Sequence, residues 1–215
     1  MTKEERIIRF MVEKYSRLGS VTRFSTIPNM CGESVAQHTA NVAALTMLIS
    51  DYLTEYDVEI DSLKAIKMSL WHDIEEIVSG DILGPLKQGK LGDELAEMNV
   101  KNVSYLFDSI GAPYNLDIWR EYVEGKTLEA RVVKLADFIS LIIHAIKESQ
   151  CGNKYFRVVI VEVGADLASY LEKAELNDPL IPLMSGFYSY ILKYLEGSED
   201  VMHPLEACFH LEVRK

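Results

Sequence analysis

Apolar residues recur every three to four positions along most of this chain, with polar residues between them. That period predicts amphipathic helices. Residues 4–17 carry Ile7, Ile8, Met11 and Tyr15 on one stripe, and Leu18-Gly19 ends it. Residues 19–33 are irregular, punctuated by Gly19, Pro28, Asn29 and Gly32. Ser34 is the expected N-cap of a second helix reaching Leu53, with His38, Val42, Leu45 and Ile49 on its apolar stripe. A third helix is predicted from Asp61-Ser62 to Gly80, with Leu63, Ile66, Leu70, Ile74 and Ile77 as its buried face. Residues 81–92 form a loop. Further helices are expected over 93–110, 115–123, 127–150, 156–175 and 182–195. The fold class is all-α, a helical bundle in a single domain over residues 1–200. The tail, 201–215, shows only an alternation of Phe209, Leu211 and Val213.

Composition narrows the partners. A net charge of -11 disfavours nucleic acid polymers and anionic membrane surfaces. No apolar run approaches the roughly 18 residues of a membrane span. The N-terminus, Met1-Thr-Lys-Glu-Glu-Arg, is charged where a secretory signal needs apolar residues. Cys31, Cys151 and Cys208 are scattered and show no CxxC spacing, which suits a reducing, cytoplasmic setting.

The candidate chemistry lies where polar residues interrupt apolar runs. His72 and Asp73 stand together in Leu70-Trp-His-Asp-Ile-Glu-Glu76. His38 and Asp137 each sit in a separate apolar helical run. A lone histidine on such a stripe is ordinarily a satisfied core residue. Buried carboxylates, however, cost several kcal/mol unless paired. Two imidazoles and two carboxylates brought together from three helices form a mixed N/O donor set for one divalent transition metal per chain. Spacing does not choose among Mn, Fe, Co, Zn and Ni.

Glu76 lies four residues after His72, on the same helix face, placed to orient or deprotonate a water. Glu75 points elsewhere and is expected to be a solvated charge. Asp81, just past the helix end, is placed to share the proton work or to hold a metal-bound water.

The order H…HD…D resembles the HD-domain superfamily of metal-dependent phosphohydrolases. The blocks Arg17-Leu18, Thr22-Arg-Phe24 and Glu33-Ser-Val-Ala-Gln-His38 are similar to the start of the bacterial 5'-deoxynucleotidase family. So are Trp71 to Lys87 and Lys134-Leu-Ala-Asp137. This resemblance implies an HD-domain helical bundle, commonly a homodimer, that removes phosphate from (deoxy)nucleoside 5'-monophosphates. It implies His38, His72, Asp73 and Asp137 as metal ligands and Glu76 as the water-handling carboxylate. It also implies Arg23 as the phosphate grip, whose guanidinium fork suits that anion. Lys87 is a second candidate cation. Where the family usually has Trp, this chain has Phe24, a smaller ring without an indole N–H. Some HD enzymes, including phage ones, use the same four ligands to remove triphosphate from deoxynucleoside triphosphates.

Overall fold

The computed structural model describes residues 1–82, 89–175 and 177–197. Lys87 and the 201–215 tail, both singled out from the sequence, lie outside them. The described residues fall into two compact units, Met1–Ser140 and a second beginning at Leu141. Among them, helices account for the regular structure, with one isolated bridge between Thr22 and Ser34. No described helix is long and apolar enough to cross a membrane.

The first unit opens with α1 (Lys3–Glu13), closed at its start by a reciprocal Thr2/Glu5 capping box. A 3₁₀ turn, Tyr15–Gly19, follows. A second capping box, Ser34 with Gln37, starts α2 (Val35–Glu55) and confirms the expected N-cap. The Val35 N–H bonds the Val21 carbonyl, and the Arg23 N–H bonds the Glu33 carbonyl. These bonds tie the irregular 20–34 segment to the first turn of α2. Next come α3 (Ser62–Trp71), α4 (Glu76–Ser79), α5 (Gly89–Asp108) and α6 (Tyr114–Glu124). Helix α7 (Leu128–Gln150) begins in this unit.

Aromatic side chains centre this unit's core. Trp71 meets Tyr15 edge-on at 5.7 Å between centroids and Phe107 at 5.3 Å. Phe107 belongs to a buried cluster with Phe10, Leu18, Ile74, Leu106 and Trp119 among others, against which Tyr15 and Trp71 pack. Burying a ring such as Phe107 is worth about 2–3 kcal/mol.

The structure corrects two expectations about helix faces. On α1 the buried anchor is Phe10, while Ile7, Ile8 and Met11 are exposed. The third helix is not continuous to Gly80. It ends at Trp71, and residues 72–75 are wound by bonds to the third residue back: Ile74 N–H to Trp71 O, Glu76 N–H to Asp73 O. Its buried face is Ala65, Met68, Ser69 and His72, not the predicted leucines; Leu63 and Leu70 stay exposed. Both sets have helical spacing. Ala65 and Ser69 are small and buried on α3, whose main packing partner is α2, and small side chains permit close helix approach.

In the second unit, α8 (Tyr155–Lys173) packs on α9 (Ile181–Glu196), with Gly164 of α8 facing Ile191. His144 meets the Phe156 ring edge-on at 5.4 Å. Glu148, fully buried, accepts from the Asn153 amide at 2.7 Å.

Candidate metal centre

Three segments of the first unit deliver four polar side chains to one point. His38, one turn inside α2, is completely buried. His72 and Asp73 come from the tightened turn after α3, and Asp137 from α7. The Nε2 atoms of His38 and His72 are 3.3 Å apart. His38 Nε2 is 3.0 Å from Asp137 Oδ1 and 3.6 Å from Asp73 Oδ2. His72 Nε2 is 3.0 Å from Asp73 Oδ2.

These separations fit a cation. Donors bound at about 2.1 Å to one ion lie roughly 3.0–3.4 Å apart in tetrahedral or octahedral arrangement. The hydrogen bonds behind the rings point the same way. His72 Nδ1 lies 2.7 Å from the Ser69 carbonyl oxygen, which only accepts, so Nδ1 carries its proton. His38 Nδ1 faces Ser140 Oγ at 3.0 Å. Each ring therefore presents Nε2 inward, held from behind in the manner of metal-binding histidines. Two lone pairs and two carboxylates at this range repel unless a proton or a metal ion lies between them. Of the four, His38, His72 and Asp73 each bring one ligand atom within 4.8 Å of the others.

The electrostatics describe the proton-filled alternative. Burial opposes a charged His72, but Asp73 and then Asp137 outweigh it, and the imidazole's pKa is raised to about 9. Burial works against the Asp73 carboxylate too, yet His72, His38 and Arg23 hold it far below the usual range. Asp137 is likewise lowered, against burial, by its hydrogen bond to His38 and the charge of His72.

Around the cluster, the expected residues fall as follows. Glu76 is buried at the first position of α4, its N–H bonded to the Asp73 carbonyl. It is not four residues along one α-helix from His72, because the helix breaks between them. Glu75 is not a solvated charge: it accepts the Trp119 indole N–H at 3.0 Å.

Asp81 Oδ2 accepts the backbone N–H of Phe24 at 2.6 Å. Phe24 has φ +54, a left-handed conformation that costs a non-glycine residue about 1–2 kcal/mol. Arg23 sits over the Phe24 ring at 5.5 Å, its side chain only 12% exposed. Its Nη1 is shut from solvent without a hydrogen bond, 3.8 Å from Glu33 Oε2.

Two participants were missed from sequence. Tyr122 of α6 packs edge-on against the His72 ring at 5.6 Å and donates to Asp137 Oδ2 at 3.4 Å. Burial first, then Asp137, Asp73 and Glu75, push its phenol well above the usual value, so it remains a neutral donor. No local pattern marks it. Ser140 does have a signal: it lies three residues after Asp137 in an apolar run, hence on the same face.

An all-helical fold that gathers two histidines and two aspartates from three segments defines a class of metal-binding helical proteins. The chain belongs to the HD domain family, which it matches over residues 15–175. The 5'-deoxynucleotidase HDDC2 of Dictyostelium discoideum is 33% identical over 117 residues, covering 53% of this chain and 61% of the relative. The chain thus spans less than two thirds of that relative's length. The 5'-deoxynucleotidase YGK1 of Saccharomyces cerevisiae is 30% identical over 158 residues, covering 68% of this chain and 70% of the relative. Among solved structures, a conserved hypothetical protein from Pyrococcus furiosus shares the fold with a TM-score of 0.68 at 26% identity. That match covers 86% of this chain and 99% of the other.

Proposed function

We propose that this chain is a metal-dependent nucleotide phosphohydrolase that converts (deoxy)nucleoside 5'-monophosphates to nucleoside and phosphate. The observation that carries the reading is the approach of His72 Nε2, Asp73 Oδ2 and Asp137 Oδ1 to His38 Nε2 at 3.0–3.6 Å, buried on the histidine side and part open on the aspartate side. His38, His72, Asp73 and Asp137 would hold the divalent ion. When bound, such an ion polarises a phosphoryl oxygen and makes a coordinated water more acidic. The similarity to two 5'-deoxynucleotidases supports the substrate class.

The chain's own residues supply the rest. Arg23 carries a buried N–H that lacks a hydrogen bond, and a phosphate oxygen would satisfy it. Glu76 accepts the proton of the attacking water as its oxygen bonds to phosphorus and the P–O5' bond breaks. The protonated Glu76, directly or through a water, returns that proton to the leaving 5'-oxygen, which departs as the nucleoside alcohol. Oδ2 of Asp81 is engaged by Phe24, so the proton work is assigned to Glu76.

We read the chain as a single HD domain over residues 1–200, cytoplasmic and homodimeric. Exposed Leu63 and Leu70 on α3, with Met47 and Leu48 on α2, offer apolar surface to a second copy.

The test is a panel of deoxy- and ribonucleoside mono- and triphosphates assayed with Mn, Co, Mg or chelator. Release of phosphate from monophosphates, abolished by chelator, is expected. Release of triphosphate alone would transfer the activity to the triphosphohydrolase class, and no turnover with any metal would overturn the enzymatic reading. Light scattering checks the dimer.

A further inference from the structure

Beyond the backbone bonds to the first turn of α2, the segment between the 3₁₀ turn and α2 is held by side chains. The Asn29 amide group donates to three carbonyls: Phe24 at 2.9 Å, Arg23 at 3.2 Å and Ile27 at 3.4 Å. The Ile27 N–H also bonds the Phe24 carbonyl at 3.0 Å, closing the turn. From the opposite side, Asp81 Oδ2 receives the Phe24 N–H. Phe24 is thus gripped at both ends of its peptide groups, in a conformation that bulky side chains rarely adopt. Such a conformation persists only when its surroundings over-determine it, and Asn29 and Asp81 are those surroundings.

The grip has a consequence for the site. Arg23 and Phe24 are consecutive, their side chains stacked at 5.5 Å. Asp81 lies shortly after the turn that carries His72, Asp73 and Glu76. The contact between Asp81 and Phe24 therefore joins the segment bearing the cation for phosphate to the segment bearing two of the metal-holding side chains. We propose that Asn29 and Asp81 are substrate-positioning residues: together they lock Phe24 in its left-handed state and so fix the distance from the Arg23–Phe24 stack to the histidine–aspartate cluster. This inference rests on the phosphohydrolase reading for its kinetic consequence, but the lock itself stands on geometry alone.

A positioning role and a proton-carrying role for Asp81 make opposite demands on its chemistry. The amide oxygen of an asparagine still accepts the Phe24 N–H, whereas it carries no proton near neutral pH. In full-length protein loaded with Mn²⁺, Asn29→Ala and Asp81→Ala should each raise KM for a deoxynucleoside monophosphate about tenfold or more, with kcat changed far less. Both should weaken inorganic phosphate binding in calorimetry, without lowering Mn²⁺ content. Asp81→Asn should restore KM towards wild type, whereas Asn29→Asp, which replaces donors by acceptors facing three carbonyls, should not.

Amide hydrogen exchange at Phe24 provides the readout that needs no turnover. The N–H should exchange slowly in wild type and in Asp81→Asn, and at least tenfold faster in Asp81→Ala. Equal exchange in all three overturns the lock. Faster exchange with unchanged KM and phosphate affinity overturns the positioning role. Loss of kcat in Asp81→Asn equal to that in Asp81→Ala returns Asp81 to proton transfer. Should wild type hydrolyse no nucleotide, the functional reading fails, while exchange at Phe24 and phosphate binding still judge this one.

Discussion

At the scale of the residue, each inward-facing group depends on a partner behind it. Tyr122 shows this most clearly. Its hydroxyl holds one Asp137 oxygen, leaving the other to face His38, and its ring edge limits the tilt of His72. Tyr122→Phe keeps the ring and removes the hydroxyl, and should weaken metal affinity about tenfold. Competition with a chelating dye measures this, and unchanged affinity would remove Tyr122 from the site. Glu76 is the opposite case, with no expected part in holding the ion. Glu76→Gln should leave metal content and KM near wild type while lowering kcat by roughly 10²–10⁴. A variant that kept full kcat would pass the proton work to another group. The four clustered residues, His38, His72, Asp73 and Asp137, were legible as polar interruptions of apolar runs, because buried charge is costly enough to need a reason. Tyr122 was not, since its partners His72 and Asp137 lie in other segments, and Asn29 was legible only as loop punctuation although its partners Arg23, Phe24 and Ile27 are close in sequence.

At the scale of the element, helix positions were read to within a few residues; the phase held on α2, where His38, Val42 and Ile49 are buried, and failed on α1 and α3. Two stripes on α3 had helical spacing, and which of them is buried depends on the packing partner, a tertiary effect that a single segment does not encode. The break after Trp71 was hidden as well: the sequence there contains neither glycine nor proline, and the tightened turn is imposed by what His72, Asp73 and Ile74 must reach. The end of α6 was more open to reading. Gly125 adopts φ +67, and a Cβ there would lie 2.5 Å from Lys134 Nζ. That ammonium donates to the Val123 carbonyl and sits above the Tyr122 ring. Gly125→Ala should cost about 1–2 kcal/mol for the backbone alone, plus the displacement of Lys134. In a Lys134→Ala background only the backbone part should remain, so thermal unfolding of the four variants separates the two contributions. Strict additivity would show that Lys134 is not displaced.

At the scale of the whole molecule, the cluster links metal, proton and stability. Without metal, His72 has a pKa raised from its ordinary 6.5 to about 9. Its contribution to stability is therefore full below pH 6.5 and is lost as pH rises through 9. Metal needs the same Nε2 lone pair and displaces that proton, so its affinity should rise with pH over this window, with proton release on binding. The gain in Tm on adding metal should accordingly widen between pH 6.5 and 9. Scanning calorimetry at several pH values tests the sign, and a gain that shrank with pH would contradict the exchange of proton for metal.

The unequal exposure of the four candidate ligands has a further effect. His38 and His72 are sealed, while the Asp73 and Asp137 side chains are 18% and 32% exposed. Among the described residues the imidazoles make a floor and the carboxylates a rim, so a guest reaches the cluster from the aspartate side. On the proposed phosphohydrolase reading, ion, water and phosphate would share that approach. Spent phosphate left on the rim would obstruct the next guest, which would make product departure a brake on the cycle.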